Sequence, residues 1–194
     1  MRGGRRMPDQ RERTRRSVLL FAGGALATAL TTPMLTAPAI AAIHYPFAAR
    51  SISLHNVHTG EHLNSVYWEE GKYVPDTLHR INWVLRDHRT EEVCRISPEL
   101  VDLLAALRLK LRTREPFEVL SGYRSPSTNA LLAAMTDGVA QNSLHMHGKA
   151  IDIRVPDRSL VKVHRAAMAM EAGGVGYYPR SDFVHVDVGR VRRW

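Results

Sequence analysis

The chain holds a single cysteine, Cys94, among 194 residues. One thiol can form neither an intramolecular disulfide nor a thiolate zinc site, so stability and chemistry must come from other residue types. Charge is missing over a long early stretch: no Asp, Glu, Lys or Arg lies between Arg16 and Arg50. The apolar run inside that stretch is itself broken at Thr31-Thr32-Pro33, short of the roughly 20 residues a membrane span needs. After it there is no internal repeat and no low-complexity segment. With 44% hydrophobic and 24% charged residues, the composition excludes the disordered and membrane-spanning classes and suits one compact domain with a short appendage.

The appendage is the N-terminus. "MRGGRRMPDQRERTRRSVLLFAGGALATALTTPMLTAPAIAA" runs from a basic segment into an apolar one, which is the grammar of an export signal. Arg15 and Arg16 stand directly before a Gly/Ala-rich apolar stretch, as in a twin-arginine (Tat-type) leader. The small-residue run "APAIAA" offers a cut after Ala39, Ala41 or Ala42. Residues 1–41 are therefore expected to be removed, leaving a mature domain over 42–194 that acts outside the cytoplasm, in the periplasm. Their loss takes away seven Arg against Asp9 and Glu12, lowering the formal charge from +8 to +3. Most of the basicity thus belongs to the leader, and nucleic acid is not expected as a partner, since a phosphate-binding domain keeps a clustered basic face after processing. Contact with a membrane is expected only transiently, through the leader. Nothing in the sequence signals an oligomeric state.

In the mature region, "RSISLHNVHTGEHLNSVYW" reads as strand, turn at Thr59-Gly60-Glu61 and returning strand. "PDTLHRINWVLRDHR" sets Leu78, Ile81, Val84, Leu85 and His88 at helical spacing behind a possible Asp76 cap. "SPELVDLLAALRLKLRTRE" predicts a second helix, with Ser97 as cap and Pro98 at its first position. "FEVLSGYRSPSTNALLAAM" predicts a strand over Phe117 to Leu120, a turn at Gly122 and a helix from about Ser127. Arg124 then lies in a loop at a strand's end, where functional groups are often placed. "SLVKVHRAAMAMEAGG" reads as a helix closed by Gly173-Gly174, and a last strand runs from Phe183 to Val188. Strands at both ends with helices between them indicate an α+β fold with a small, mainly antiparallel sheet.

Two stretches carry candidate chemistry. In "GKAIDIRV", period-2 alternation puts Ala150, Asp152 and Arg154 on one face and Ile151, Ile153 and Val155 on the other. His145 precedes Asp152 by seven residues across Gly148, whose freedom of backbone lets both side chains reach one point. In the last strand His185 and Asp187 share a face opposite Val184, Val186 and Val188. His145, Asp152 and His185 could thus supply three nitrogen and oxygen ligands and leave a fourth position open, as catalytic zinc requires. The chain has 10 histidines, however, and most histidines are surface or hydrogen-bonded groups, so spacing alone leaves both readings open. His44, His55, His58, His62, His79, His88 and His164 read as ordinary surface or packing residues.

"SLHMHGKAID", Ser143 to Asp152, fits the S-x-H-x-x-G-x-A-x-D signature of the zinc D-alanyl-D-alanine peptidases, and "HVD" fits their second, histidine-bearing element. "HTGEHLNSVYW", "INWVLRDHRT", "SGYRSP", "GGVGYYPRSDFVHVD" and "RVRRW" resemble the murein endopeptidase K-like branch of that family across the whole mature domain. The resemblance implies a hedgehog/D-Ala-D-Ala peptidase fold, one zinc ion and no other cofactor, and hydrolysis of peptide cross-links in peptidoglycan. It implies His145, Asp152 and His185 as ligands and leaves His147 at a variable place. Arg124 corresponds to the family's arginine beside the metal, expected to hold the substrate carbonyl or the oxyanion. Asp182 matches the acidic-x-x-His arrangement of the wider family, where the acid activates water, although this branch is not reliably acidic there. Asp187 is the alternative base, or a residue that orients His185 or Arg124. Trimming of free D-Ala ends by a carboxypeptidase or dipeptidase, and a catalytically silent zinc-stabilised murein-binding domain, are the competing readings.

Overall fold

The computed structural model describes residues 49–136 and 140–194; the leader read from residues 1–41 lies outside them. Among the described residues the fold is α+β, with one eight-stranded sheet and four α-helices. In chain order these are β1 (Arg50–Asn56), β2 (His62–Glu69), β3 (Lys72–Tyr73), α1 (Pro75–Val84), α2 (Pro98–Leu111), β4 (Phe117–Ser121), α3 (Pro126–Met135), a 3-10 turn over Leu144–His147, β5 (Ala150–Arg154), α4 (Leu160–Met168), β6 (Gly174–Tyr178), β7 (Phe183–Asp187) and β8 (Arg192–Arg193). The strand order is β3-β2-β1-β4-β5-β7-β6-β8. Only β1–β4 and β6–β8 pair in parallel, so the sheet is mainly antiparallel, as the sequence indicates.

Alternation along the strands builds the core. Ile52 and Leu54 on β1, Leu63 and Tyr67 on β2, Phe117 and Val119 on β4, Ile151 and Ile153 on β5, and Val184 and Val186 on β7 are all buried with the apolar faces of α1, α2 and α4. Because successive side chains point to opposite faces, the residues between them occupy the other face: His55, Glu118, Asp152, Arg154 and His185. Asp152 faces away from the apolar layer as its strand pattern requires.

The local signals differ from the sequence expectations in three places. Helix α1 begins with Pro75 behind Val74, and Asp76 sits in its first turn instead of capping it. The same helix stops at Val84, so His88 is not on its stripe: the Leu85 carbonyl accepts the Tyr123 amide at 2.8 Å, and the chain turns away to stack His88 on His58. Helix α4 ends at Met168 with Ala169 as cap, several residues before Gly173-Gly174. Those glycines serve close approach: a Cβ on Gly173 would lie 1.8 Å from the Asp187 carbonyl oxygen. Ser97 holds the N-cap position of α2 and Pro98 its first turn, with the Ser97 hydroxyl donating to the Glu99 carboxylate instead of capping a backbone amide, and Ser125 caps α3 by accepting the Thr128 amide.

Candidate metal centre

Strands β5 and β7 are antiparallel neighbours in a register that sets Asp152 directly opposite His185. Cross-strand partners point to the same face with their Cβ atoms about 5 Å apart, so this pair is brought together by sheet geometry alone. His145 arrives from the 3-10 turn, which Ser143 caps by accepting the His145 amide through Oγ. Gly148 ends the turn at φ +61°, and a Cβ there would lie 2.3 Å from the Arg95 carbonyl oxygen. Any other residue would push the turn, and His145 with it, off its neighbour.

The three donors converge. His145 Nε2 lies 3.2 Å from His185 Nδ1 and 3.3 Å from Asp152 Oδ1, while His185 Nδ1 lies 2.9 Å from the same oxygen. All three side chains are buried. The far nitrogen of each ring is already committed: His145 Nδ1 donates to the Gly122 carbonyl at 2.7 Å, and His185 Nε2 donates to Asp187 Oδ2 at 2.9 Å. Those bonds need a proton on His145 Nδ1 and on His185 Nε2, so the opposite nitrogens, His145 Nε2 and His185 Nδ1, are the ones that face Asp152 Oδ1. Three lone pairs aimed at each other repel unless a positive charge lies among them. Ligands about 2.0 to 2.1 Å from a tetrahedral ion stand roughly 3.3 Å apart; the two spacings from His145 match that value, and the His185–Asp152 pair, at 2.9 Å, is closer. The donor set therefore fits a metal ion of the borderline nitrogen- and oxygen-binding type.

The electrostatics run the same way. Burial alone would push the Asp152 carboxyl up, but His145, His185 and Arg124 together hold it well below the usual carboxylate range. His145, fully enclosed, is pushed down by burial. Burial opposes protonation of His185 as well, yet its bonds to Asp152 and Asp187 raise it. Asp152 faces Nδ1 of the ring and Asp187 faces Nε2, so His185 is flanked by negative charge on both sides.

Arg124 reaches this cluster from the loop after β4. Its Nη2 donates to Asp152 Oδ2 and its Nε to Ser121 Oγ, with the side chain 13% exposed. The loop is pinned from below by Asp87, whose carboxylate accepts the Ser125 amide at 2.8 Å and the Arg89 amide at 3.0 Å. Burial works against that charge, but the Thr128 hydroxyl and the two amides bring Asp87 down to about 2.

The two acidic candidates are placed very differently. Asp187 is completely buried. Its oxygens accept from His185, from the amides of Gly174 and Gly189 at 3.0 and 2.8 Å, and from both terminal nitrogens of Arg192. Asp182 lies in the turn entering β7 at φ +53°, with its side chain 64% exposed and paired with Arg154 Nη1 at 3.2 Å. Arg154 is two residues beyond Asp152, so Asp182 sits along the same face of the sheet, outside the three-residue cluster. His147 is exposed and takes no part in it. Arg192, which the sequence reading missed, lies on the two-residue β8, too short to carry a strand pattern.

A family model described as peptidoglycan L,D-endopeptidase MepK matches residues 45–194. The chain is 40% identical over 186 residues to the peptidoglycan L,D-endopeptidase MepK of Escherichia coli (strain K12), an alignment that takes in 96% of this chain and 100% of that relative. The Shigella flexneri protein of the same name matches to the same extent. The probable peptidoglycan L,D-endopeptidase MepK of Haemophilus influenzae is 40% identical over 146 residues, 75% of this chain and 78% of its own length.

Proposed function

The chain belongs to the MepK family of M15-type, metal-dependent peptidoglycan peptidases, and from that premise we propose that it is a murein endopeptidase that hydrolyses L,D peptide cross-links with one zinc ion held by His145, Asp152 and His185. The observation that carries the metal reading is the convergence of His145 Nε2 and His185 Nδ1 on Asp152 Oδ1, with the far nitrogen of each ring held by the Gly122 carbonyl and the Asp187 carboxylate. Bound there, zinc would supply Lewis acidity to the scissile carbonyl and bring a water's pKa toward neutrality.

The protein's own residues do the rest. Asp187, locked by Arg192 and two backbone amides, orients His185 and holds its Nε2 proton. Arg124 is braced at Ser121 and Asp152, which keeps its remaining guanidinium donors available for the carbonyl oxygen as negative charge develops on it. Asp182 takes a proton from the attacking water and delivers it to the leaving amine. It suits that role better than Asp187 because its carboxylate is exposed and tied only to Arg154, whereas every lone pair of Asp187 is engaged. Arg124→Ala is expected to lower turnover roughly 100- to 1000-fold when assayed at saturating metal; turnover near that of the wild type would make Arg124 a loop brace and nothing more.

The deciding experiment is digestion of purified cross-linked muropeptides by the metal-loaded protein, with products identified by mass. Cleaved cross-links support the endopeptidase. Release of terminal D-Ala alone would show a carboxypeptidase, and binding without any product a silent murein-binding domain.

Action on peptidoglycan places the protein outside the cytoplasm, and no helix among the described residues is long and apolar enough to cross a membrane. Residues 1–41 then act as a cleaved twin-arginine leader in front of a peptidase domain over 42–194. The receptor reads the arginine pair as an address and not as charge alone, so Arg15→Lys combined with Arg16→Lys should trap the precursor in the cytoplasm. Export of that variant at the normal rate would point to the general secretory route.

A further inference from the structure

On the face of the sheet that carries the metal cluster, β6 presents Gly174, Gly176 and Tyr178, with Gly176 directly opposite His185. The two glycines leave a trough. A Cβ on Gly174 would lie 2.5 Å from Arg192 Nη1, and one on Gly176 would lie 2.6 Å from Trp194 Cε2. Both side chains therefore lean inward from the sheet edge across bare backbone. Trp194 is held there by backbone and side chain: its amide donates to Val175, its carbonyl accepts from Tyr177, and its indole Nε1 donates to the Tyr178 hydroxyl at 2.7 Å. The Arg192 guanidinium sits 4.9 Å over the indole, and the His185 ring lies 5.2 Å away. Tyr178 in turn stacks on Phe183 at 4.5 Å. Despite this anchorage Trp194 remains 48% exposed. A stray surface aromatic needs no explanation, but one that is immobilised beside a metal ligand and still half uncovered offers a rigid apolar surface whose ordering cost was met on folding.

We propose that Trp194, backed by Tyr178 and Phe183, is a substrate-binding wall beside the metal cluster and receives the aliphatic side chain of the murein residue next to the scissile bond. The proposal rests on the endopeptidase reading above. Short methyl and methylene side chains present little else than apolar surface for recognition, and a fixed indole face takes them up without losing rotamer freedom. Trp194 touches no reacting atom, so it strengthens binding of substrate and transition state alike; such a contact acts on KM and leaves kcat in place.

The test is steady-state kinetics of the metal-loaded enzyme on cross-linked muropeptides, with metal content and melting temperature measured alongside. Trp194→Ala should raise KM by about tenfold, as truncation of a buried-contact tryptophan commonly does, with kcat and metal content held. Trp194→Phe should recover most of the loss. A Trp194→Ala enzyme with the KM of the wild type overturns the proposal, and so does a loss confined to kcat and accompanied by loss of metal, which would make Trp194 a brace for His185. If Trp194→Ala does not fold, Trp194→Leu keeps the bulk without the planar face: a raised KM supports the wall, an unchanged KM overturns it. Absence of turnover in the wild-type enzyme would instead sink the endopeptidase reading on which the proposal stands.

Discussion

Alanine at His145, Asp152 or His185 is expected to empty the metal centre and abolish peptidase activity. Three donors are the minimum that holds a catalytic metal with one position open, and two leave too little for tight binding. The loss should exceed the roughly 10- to 100-fold penalty that follows removal of a residue which merely supports a ligand, and Asp187→Asn provides that comparison in the same protein. The three variants should differ in stability. Asp152→Ala also strands the Arg124 guanidinium, which has Asp152 as its only carboxylate partner among the described residues, and breaking a buried pair in this way costs about 3 to 5 kcal/mol. His145→Ala removes a neutral ring and one bond to Gly122, so it should melt closer to the wild type. Elemental analysis of folded protein decides the matter: full metal content in all three variants would dismiss the centre.

Asp182→Asn should lower turnover by about 100- to 10,000-fold, the usual contribution of a positioned general base, while metal content stays normal. Asparagine keeps the shape and the contact with Arg154 but cannot take a proton. Asp187→Asn acts differently. An amide there offers His185 Nε2 and Arg192 a poorer partner, so metal affinity should fall first and activity should recover when metal is added. Both variants are assayed at equal metal occupancy across pH. If Asp182→Asn keeps most of its activity and the acidic limb of its profile while Asp187→Asn loses both, the two roles must be exchanged.

The parts of this site that the sequence disclosed are those governed by short-range rules. "GKAIDIRV" and "FVHVD" alternate with period 2, and that alone puts Asp152 and His185 on the face opposite the core. Gly148 between His145 and Asp152 signals a sharp turn, and its left-handed backbone supplies one. What stayed hidden depends on contacts far apart in the chain. The end of α1 at Val84 is set by Tyr123, nearly 40 residues on, and no local pattern marks it. Gly173-Gly174 looks like a helix stop because glycine usually is one at that distance from an amphipathic stretch; its real partner is Asp187, on the neighbouring strand β7. β3 and β8 are two residues each, too short for any periodicity. Arg192 and Trp194 fall in that blind region, although they complete the surroundings of His185.

The direct pairing of Asp152 with His185 also determines where this protein can change its length. Losing one residue inside β5 or β7 would slide the register by one, and a one-residue slip sends every side chain beyond it to the opposite face. Asp152 or His185 would then point into the helical layer while the strand remained a strand. The connection over 155–173 is under no such constraint, because α4 and its flanking turns join strands whose register is fixed by their own hydrogen bonds. Insertions there lengthen a connection at the sheet's end, whereas a single deletion within either five-residue ligand strand disarms an otherwise folded domain.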